Sequence, residues 1–180
     1  MTQLPGLKPG IWTIDPSHSE VGFSVRHLMV SKVKGVFEKF SGQITIAEDA
    51  LLSSVTAEID MSSINTRDAN RDNHLRSADF FETSTHPAMT FASTAVRAKG
   101  DGYVVTGELT IKGITRSVDL ELEFNGAVDS PMGTRAGFSA STEINRKDFG
   151  VTIDMPLDGG GAVIGDKVKI DLEIEAVLQA

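Results

Sequence analysis

SVDLELEFN, residues 117–125, decides the fold. Val118, Leu120, Leu122 and Phe124 alternate with Asp119, Glu121 and Glu123. Strict alternation over this length means a strand with one face in water and the other on a core. VKIDLEIEAV, residues 168–177, repeats the pattern, setting Val168, Ile170, Leu172 and Ile174 against Lys169, Asp171, Glu173 and Glu175. SVTAEIDMS, residues 54–62, sets Val55, Ala57, Ile59 and Met61 against Thr56, Glu58 and Asp60.

Further strands are predicted at 11–15, 20–30, 35–46, 88–98, 102–112 and 135–144. Lys99-Gly100-Asp101-Gly102 reads as a tight hairpin turn and Lys112-Gly113 as another. Asn125-Gly126 is expected to end one strand, and Asp129-Ser130-Pro131-Met132-Gly133 to form a longer connection. Strands of about ten residues span roughly 30 Å each, long for a compact sandwich. Their outer faces are charged and their inner faces apolar. A single sheet closed on itself satisfies that pattern and removes the exposed edges. The fold class is therefore all-β, with an antiparallel barrel of about eight strands favoured over a sandwich. Inward residues of modest size favour a cavity over a filled interior.

Of the 180 residues, 40% are hydrophobic and 23% charged, which suits one globular domain of the larger all-β kind. The formal net charge is −8. That argues against non-specific binding to nucleic acid or to an anionic membrane surface, because both need a basic face. There is no cysteine, so disulfides, thiolate metal sites and cysteine nucleophiles are excluded. The opening MTQLPGLKPGIW has no apolar h-region, and residues 1–10 read as a loose lead-in. The chain as given is expected in the cytoplasm, and in the periplasm only if a leader has been removed. No stretch is long and apolar enough to span a bilayer as a helix.

One run breaks the period of two. NTRDANRDNHLRSADFF, residues 65–81, packs arginines, aspartates and a histidine against a Phe pair. With Asp68 as N-cap, a short helix is expected over 69–76, inside an insertion spanning 66–82, with Leu75, Phe80 and Phe81 buried beneath it. Arg67, Arg71 and Arg76 either pair with Asp68, Asp72 and Asp79 or clamp an anionic head group. No GxSxG, no HExxH and no metal-spaced cluster occurs. His18, His27, His74 and His86 stand singly and read as structural histidines. Gly159-Gly160-Gly161 lacks the Lys-Ser/Thr of a phosphate cradle and reads as a loop. The insertion is thus expected to plug one end of the barrel.

Several motifs carry a family resemblance. WTIDPSHSEVGFSVRHLMVSKVKGVFEKFSGQI, SSINTRDANRDNHLRSADFFETSTHPAMTFAST, VTGELTIKGITRSVDLELEF and FSASTEINRKDFGV, followed by GDKVKIDLEIEAVL, resemble the YceI-like family in order from Trp12 to Leu178. Gly10-Ile11-Trp12 also echoes the GxW that opens lipocalins. The resemblance implies an extended, lipocalin-like, eight-stranded barrel. It implies binding, with transport or storage, of a polyprenyl compound, isoprenoid quinone or similar long-chain lipid inside the barrel. It also implies a homodimer, and export for many members. No catalytic residue, metal or further cofactor is expected, nor stable membrane insertion.

The alternation gives an inward set, Phe23, Val25, Val55, Ala57, Ile59, Met61, Met89, Phe91, Val105, Leu109, Leu120, Leu122, Phe138, Ile170 and Leu172, which either forms an ordinary packed core or, as the resemblance implies, lines a tunnel. Arg26, His27, Arg71 and His74 are the head-group candidates. Two rivals stand beside this reading. One is an enzyme of isoprenoid or quinone metabolism using Asp72 and His74 as acid and base. The other is a ligand-free, stress-related scaffold.

Overall fold

The computed structural model describes residues 1–28, 30–153 and 164–180. The three glycines at 159–161 lie outside the described residues. The described residues form eleven strands and one α-helix: β1 (Gly10–Ile14), β2 (Glu20–His27), β3 (Ser31–Phe37), β4 (Phe40–Ile46), β5 (Ser54–Asp60), β6 (Ile64–Asn65), α1 (Ala69–Arg76), β7 (Ala88–Lys99), β8 (Gly102–Ile111), β9 (Ile114–Ser130), β10 (Gly133–Asn145) and β11 (Ile164–Leu178). Eight of them, β1-β4-β5-β7-β8-β9-β10-β11, close into an antiparallel ring through the β1–β11 pairing. The predicted eight-stranded barrel is therefore present. β2, β3 and β6 extend it at one end.

The extension arises because two predicted strands, 20–30 and 35–46, are interrupted. β1 and β2 lie end to end along the same edge of β11, with Trp12 opposite Leu178 and Val25 opposite Val168. Between them Pro16–His18 makes one helical turn, capped by the Asp15 side chain. The predicted strand 20–30 stops at His27, where Leu28 takes a positive φ of 53° and the chain turns back into β3. The predicted strand 35–46 breaks at Glu38–Lys39. There the backbone bonds with Ser63 and Asp60 keep the neighbouring β5–β6 segment in step.

The turns explain the register. Lys112 and Gly113, with φ of 53° and 77°, give the mirror-image turn that matches strand twist, and Ile111 pairs with Ile114 across it. Two corrections concern β9. Asn125-Gly126 does not end the strand. Gly126 pairs with Gly137 and Phe124 with Phe138, so Asn125 is an unpaired bulge residue. The bulge shifts the phase: Phe124 lies against the core before it and Ala127 after it. The connection at 129–133 is also shorter than expected. Ser130 pairs with Gly133, and the Ser130 hydroxyl donates to the Gly133 carbonyl at 2.7 Å, leaving a two-residue turn.

Two apolar clusters fill the ends. Trp12, with no exposed surface, packs with Leu7, Ile46, Ala136, Phe138 and Ala176 at one end. Its indole N–H donates to the Lys8 carbonyl at 3.0 Å, so the polar edge of the ring is satisfied on burial. The lead-in holds no strand, but Leu4 and Leu7 belong to this cluster, and Ala50 N–H donates to the Thr2 carbonyl.

At the other end β5 and β7 pair as far as Asp60 and Ala88, after which β6 leaves with β3. The 66–87 segment fills the gap. Asp68 caps α1 by accepting from Arg71 N–H at 3.0 Å. The helix has little apolar surface of its own, and polar anchors hold it. The buried Asp72 carboxylate accepts both the Thr66 N–H (2.9 Å) and hydroxyl (2.5 Å). Arg76 donates to the Ser62 and Ile64 carbonyls. Phe80 is buried, and Leu75 and Phe81 pack on the core. The insertion is a plug, as its sequence suggests.

Candidate functional site

The barrel interior contains two apolar chambers, of about 190 Å³ and about 110 Å³. The larger runs between Leu4 and Leu7 at the Trp12 end and Met89 in the middle, walled by β4, β5 and β7 to β11. The smaller lies under the plug, walled by Phe23, Val25, Leu75, Phe80, Phe81 and Phe149 among others. Val21, Met89 and Ile170 stand in both walls and form a waist between them. Each chamber has a phenylalanine ring seated on a strand glycine. A Cβ on Gly107 would lie 2.3 Å from the Phe91 ring, and one on Gly35 would lie 2.4 Å from the Phe23 ring. Only hydrogen at these α-carbons lets the rings lie flat against the sheet.

All fifteen positions nominated from the alternation stand in one wall or the other. Phe23, Val25 and Met61 are in the smaller chamber, Met89 and Ile170 in both, and the remaining ten in the larger. The alternation did not reach Leu4, Leu7, Phe40 or Tyr103, which also line the larger chamber. Leu4 and Leu7 were missed because they lie outside any strand.

None of the four head-group candidates stands in either wall. Arg26 is exposed on the outer face of β2, because its neighbour Val25 faces in. His27 sits at the hairpin turn opposite Ser31. Arg71 donates to the Thr66 hydroxyl (2.8 Å) and carbonyl (2.6 Å). His74 bonds Asp79 at 2.9 Å and meets the Phe80 ring edge-on. The expected arginine–aspartate pairs are also absent among the described residues. Arg71 and Arg76 bind carbonyl and hydroxyl oxygens instead, since those acceptors are the ones left unpaired around the plug. Asp72 and His74 serve different partners, Thr66 and Asp79, so the structure does not join them as an acid–base pair.

The charge that does reach the interior is one the sequence reading passed over. Arg146, buried, stands in the wall of the smaller chamber. It donates to the carbonyls of Val151 and Ile153, both at 2.8 Å, and of Gly165 at 3.0 Å, and pairs with Asp166 at 3.4 Å. Its signal in the sequence is slight: an arginine just past the alternating run of β10, followed by Phe149. Among the described residues, every other one walling the two chambers is uncharged. Such an interior accepts a flexible hydrocarbon and rejects ions, because an unpaired charge there would lose its hydration without compensation.

A second polar cluster lies outside the barrel, where β1 passes into β2. Asp15, His18 and Glu175 stand close enough to share a cation. That place is held by Arg135, whose guanidinium donates to Asp15 at 2.9 Å and Glu175 at 2.5 Å. Arg135 above all, then Ser17 and His18, hold the Asp15 carboxyl well below the usual carboxylate range. The folded state thus binds the Asp15 proton more weakly than the unfolded chain does. Its contribution to stability is complete above the ordinary carboxylate pKa of about 3.9 and is lost as pH falls toward the folded value. Asp15→Asn should lower the melting temperature at neutral pH and flatten its fall between about pH 4 and pH 2. Parallel melting curves for both proteins across that range would refute the assignment.

With this geometry in hand, the comparisons with known proteins are direct. The YceI-like domain model matches residues 12–176. The chain belongs to the YceI-like family. Within the family, the chain is 40% identical over 167 residues to the UPF0312 protein of Staphylococcus epidermidis strain ATCC 12228, covering 91% of this chain and 95% of that one. Among solved structures, Burkholderia cenocepacia BcnA aligns with a TM-score of 0.79 at 27% identity, covering 91% of this chain and 99% of that one. A polyisoprenoid-binding domain from Saccharophagus degradans, implicated in plant cell wall breakdown, aligns with a TM-score of 0.69 over 96% of this chain and 100% of that one. At 18% identity the likeness to that domain is one of fold. Membership of the YceI-like family supports a binding role. Among the described residues no helix is long and apolar enough to cross a membrane.

Proposed function

We propose that the protein binds a long-chain polyisoprenoid, or a similar amphiphilic lipid, along the barrel interior and carries or stores it. The observation that carries this reading is the wall itself. Two neighbouring chambers that share Val21, Met89 and Ile170 are lined almost wholly by hydrocarbon, with Arg146 as the one charged side chain among the described residues, at the plug end. A branched apolar chain matches such a space, and its burial is worth roughly 25 cal/mol per Å² before ordering costs are met. The Saccharophagus degradans domain of the same fold, named for polyisoprenoid binding, supports the class of ligand. A polar terminus would lie nearest Arg146, whose partners are oxygens already.

Mass spectrometry of an organic extract of the purified protein tests the proposal. A long-chain isoprenoid, quinone or comparable lipid is expected in near-stoichiometric amount. Ala57→Trp sets an indole in the wall of the larger chamber and should cut the retained lipid about tenfold or more while the barrel remains folded. An empty extract, together with failure to take up an added polyprenol, would overturn the reading.

A further inference from the structure

The protein is acidic as a whole, yet one element is not. Between Glu20 and Glu38 the sequence has no acidic residue, and it carries Arg26, His27, Lys32 and Lys34. This stretch is the β2–β3 hairpin of the barrel extension. Arg26 pairs in register with Lys32, and Ser24 with Lys34, so the three long cations share one face. Arg26, Lys32 and Lys34 are exposed. Among the described residues none of the three has an ion-pair partner. At the tip of the same hairpin Val30 is 82% exposed and Leu28 39% exposed. The opposite face carries Phe23 and Val25, which wall the smaller chamber.

An apolar tip backed by unpaired cations is the pattern of a segment that rests on an anionic bilayer. The apolar side chains enter the boundary between head groups and acyl chains, and the cations meet the phosphates behind them. We propose that the β2–β3 hairpin docks the protein peripherally on an anionic lipid surface and turns the plug end of the barrel toward it. The protein as a whole has a net charge of −8, so the surface outside the hairpin is repelled by such a membrane, and docking is confined to this element and oriented by it. The docking holds whichever lipid is carried, and its test reads the protein and not the cargo.

The test is co-sedimentation of the full chain with vesicles of one-third phosphatidylglycerol in phosphatidylcholine, against phosphatidylcholine alone. At about 0.1 M salt, where the Debye length is about 10 Å, binding to the anionic vesicles should be about tenfold tighter or more. It should weaken steeply with added salt. Val30→Asp, and separately Lys32→Glu with Lys34→Glu, should each abolish that preference. Both alter exposed side chains, and unchanged thermal unfolding would show that the fold persists. Equal binding to both vesicles, or binding that survives both variants, would overturn the proposal. So would salt-sensitive self-association through this hairpin without vesicle binding. Vesicle binding by a protein whose extract contains no lipid would uphold docking and count against the cargo reading alone.

Discussion

Arg146→Met should lower stability by on the order of 4 kcal/mol in urea unfolding. The methionine fills a similar space but donates nothing. It leaves the Val151 and Ile153 carbonyls, each 2.8 Å from the guanidinium, with no partner in a buried setting. Each such group costs about 1–3 kcal/mol. Gly165 loses its bond as well, and Asp166 loses part of its neutralisation. Arg146→Lys should recover less than half, because one ammonium does not reproduce the planar fork that meets several carbonyls at once. A methionine variant within about 1 kcal/mol of the parent would show that water replaces the guanidinium there, and the smaller chamber would then be wet at that end.

Gly107→Ala should cost about 3 kcal/mol, at the upper end of what overpacking exacts. The new methyl group would stand 2.7 Å or less from two carbons of the Phe91 ring and 2.8 Å from the Ala92 carbonyl. The carbonyl belongs to a paired strand and cannot retreat, so the ring must lift into the larger chamber. Phe91→Leu alone should also destabilise, by leaving a void. The double variant should be more stable than the sum of the two losses implies, by about 1 kcal/mol or more, because the leucine no longer lies over the glycine. Additive losses would show that Phe91 moves freely. A measured lipid content that falls in Gly107→Ala and returns in the double variant would tie the same contact to the cavity.

Both predictions turn on features that differ in how they could be read from sequence. The closed sheet was legible because charge and hydrocarbon alternate in SVDLELEFN and VKIDLEIEAV with no slip. The lining was legible for the same reason: each inward position is set by parity once one residue is placed. Parity also shows where reading by pattern stops. The bulge at Asn125 reverses it, so Ala127 faces the core while Val128 is 64% exposed. The helix was legible from Asp68 and the lack of β-branched residues after it. Its anchors were not. Pairing of opposite charges was the natural expectation for Arg71 and Arg76, whereas unpaired backbone oxygens at the plug claimed them. The head-group candidates stand outside the chamber walls for related reasons. Arg26 and His74 were conspicuous by composition, but Arg26 faces away from the interior and His74 bonds Asp79. Arg146 looked ordinary and is buried.

The double role of β11 bears on how the molecule comes into being. The last strand carries β10 on one side and, on the other, β1 and β2 in succession. Ser19 and Glu175, which bond across this seam, are 156 residues apart in the chain. During synthesis the meander from β7 to β10 is complete while its seam partner is still being made. The first two strands wait longer still. Until β11 pairs, the edges of β10, β1 and β2 stand open, and open edges are where chains pair with the wrong neighbour. Closure thus depends on contacts far apart in sequence, which form slowly. The charged outer faces of β9 and β11, with Asp119, Glu121, Asp171 and Glu173, then act as guardians of that interval, keeping unfinished sheets apart until the ring is sealed.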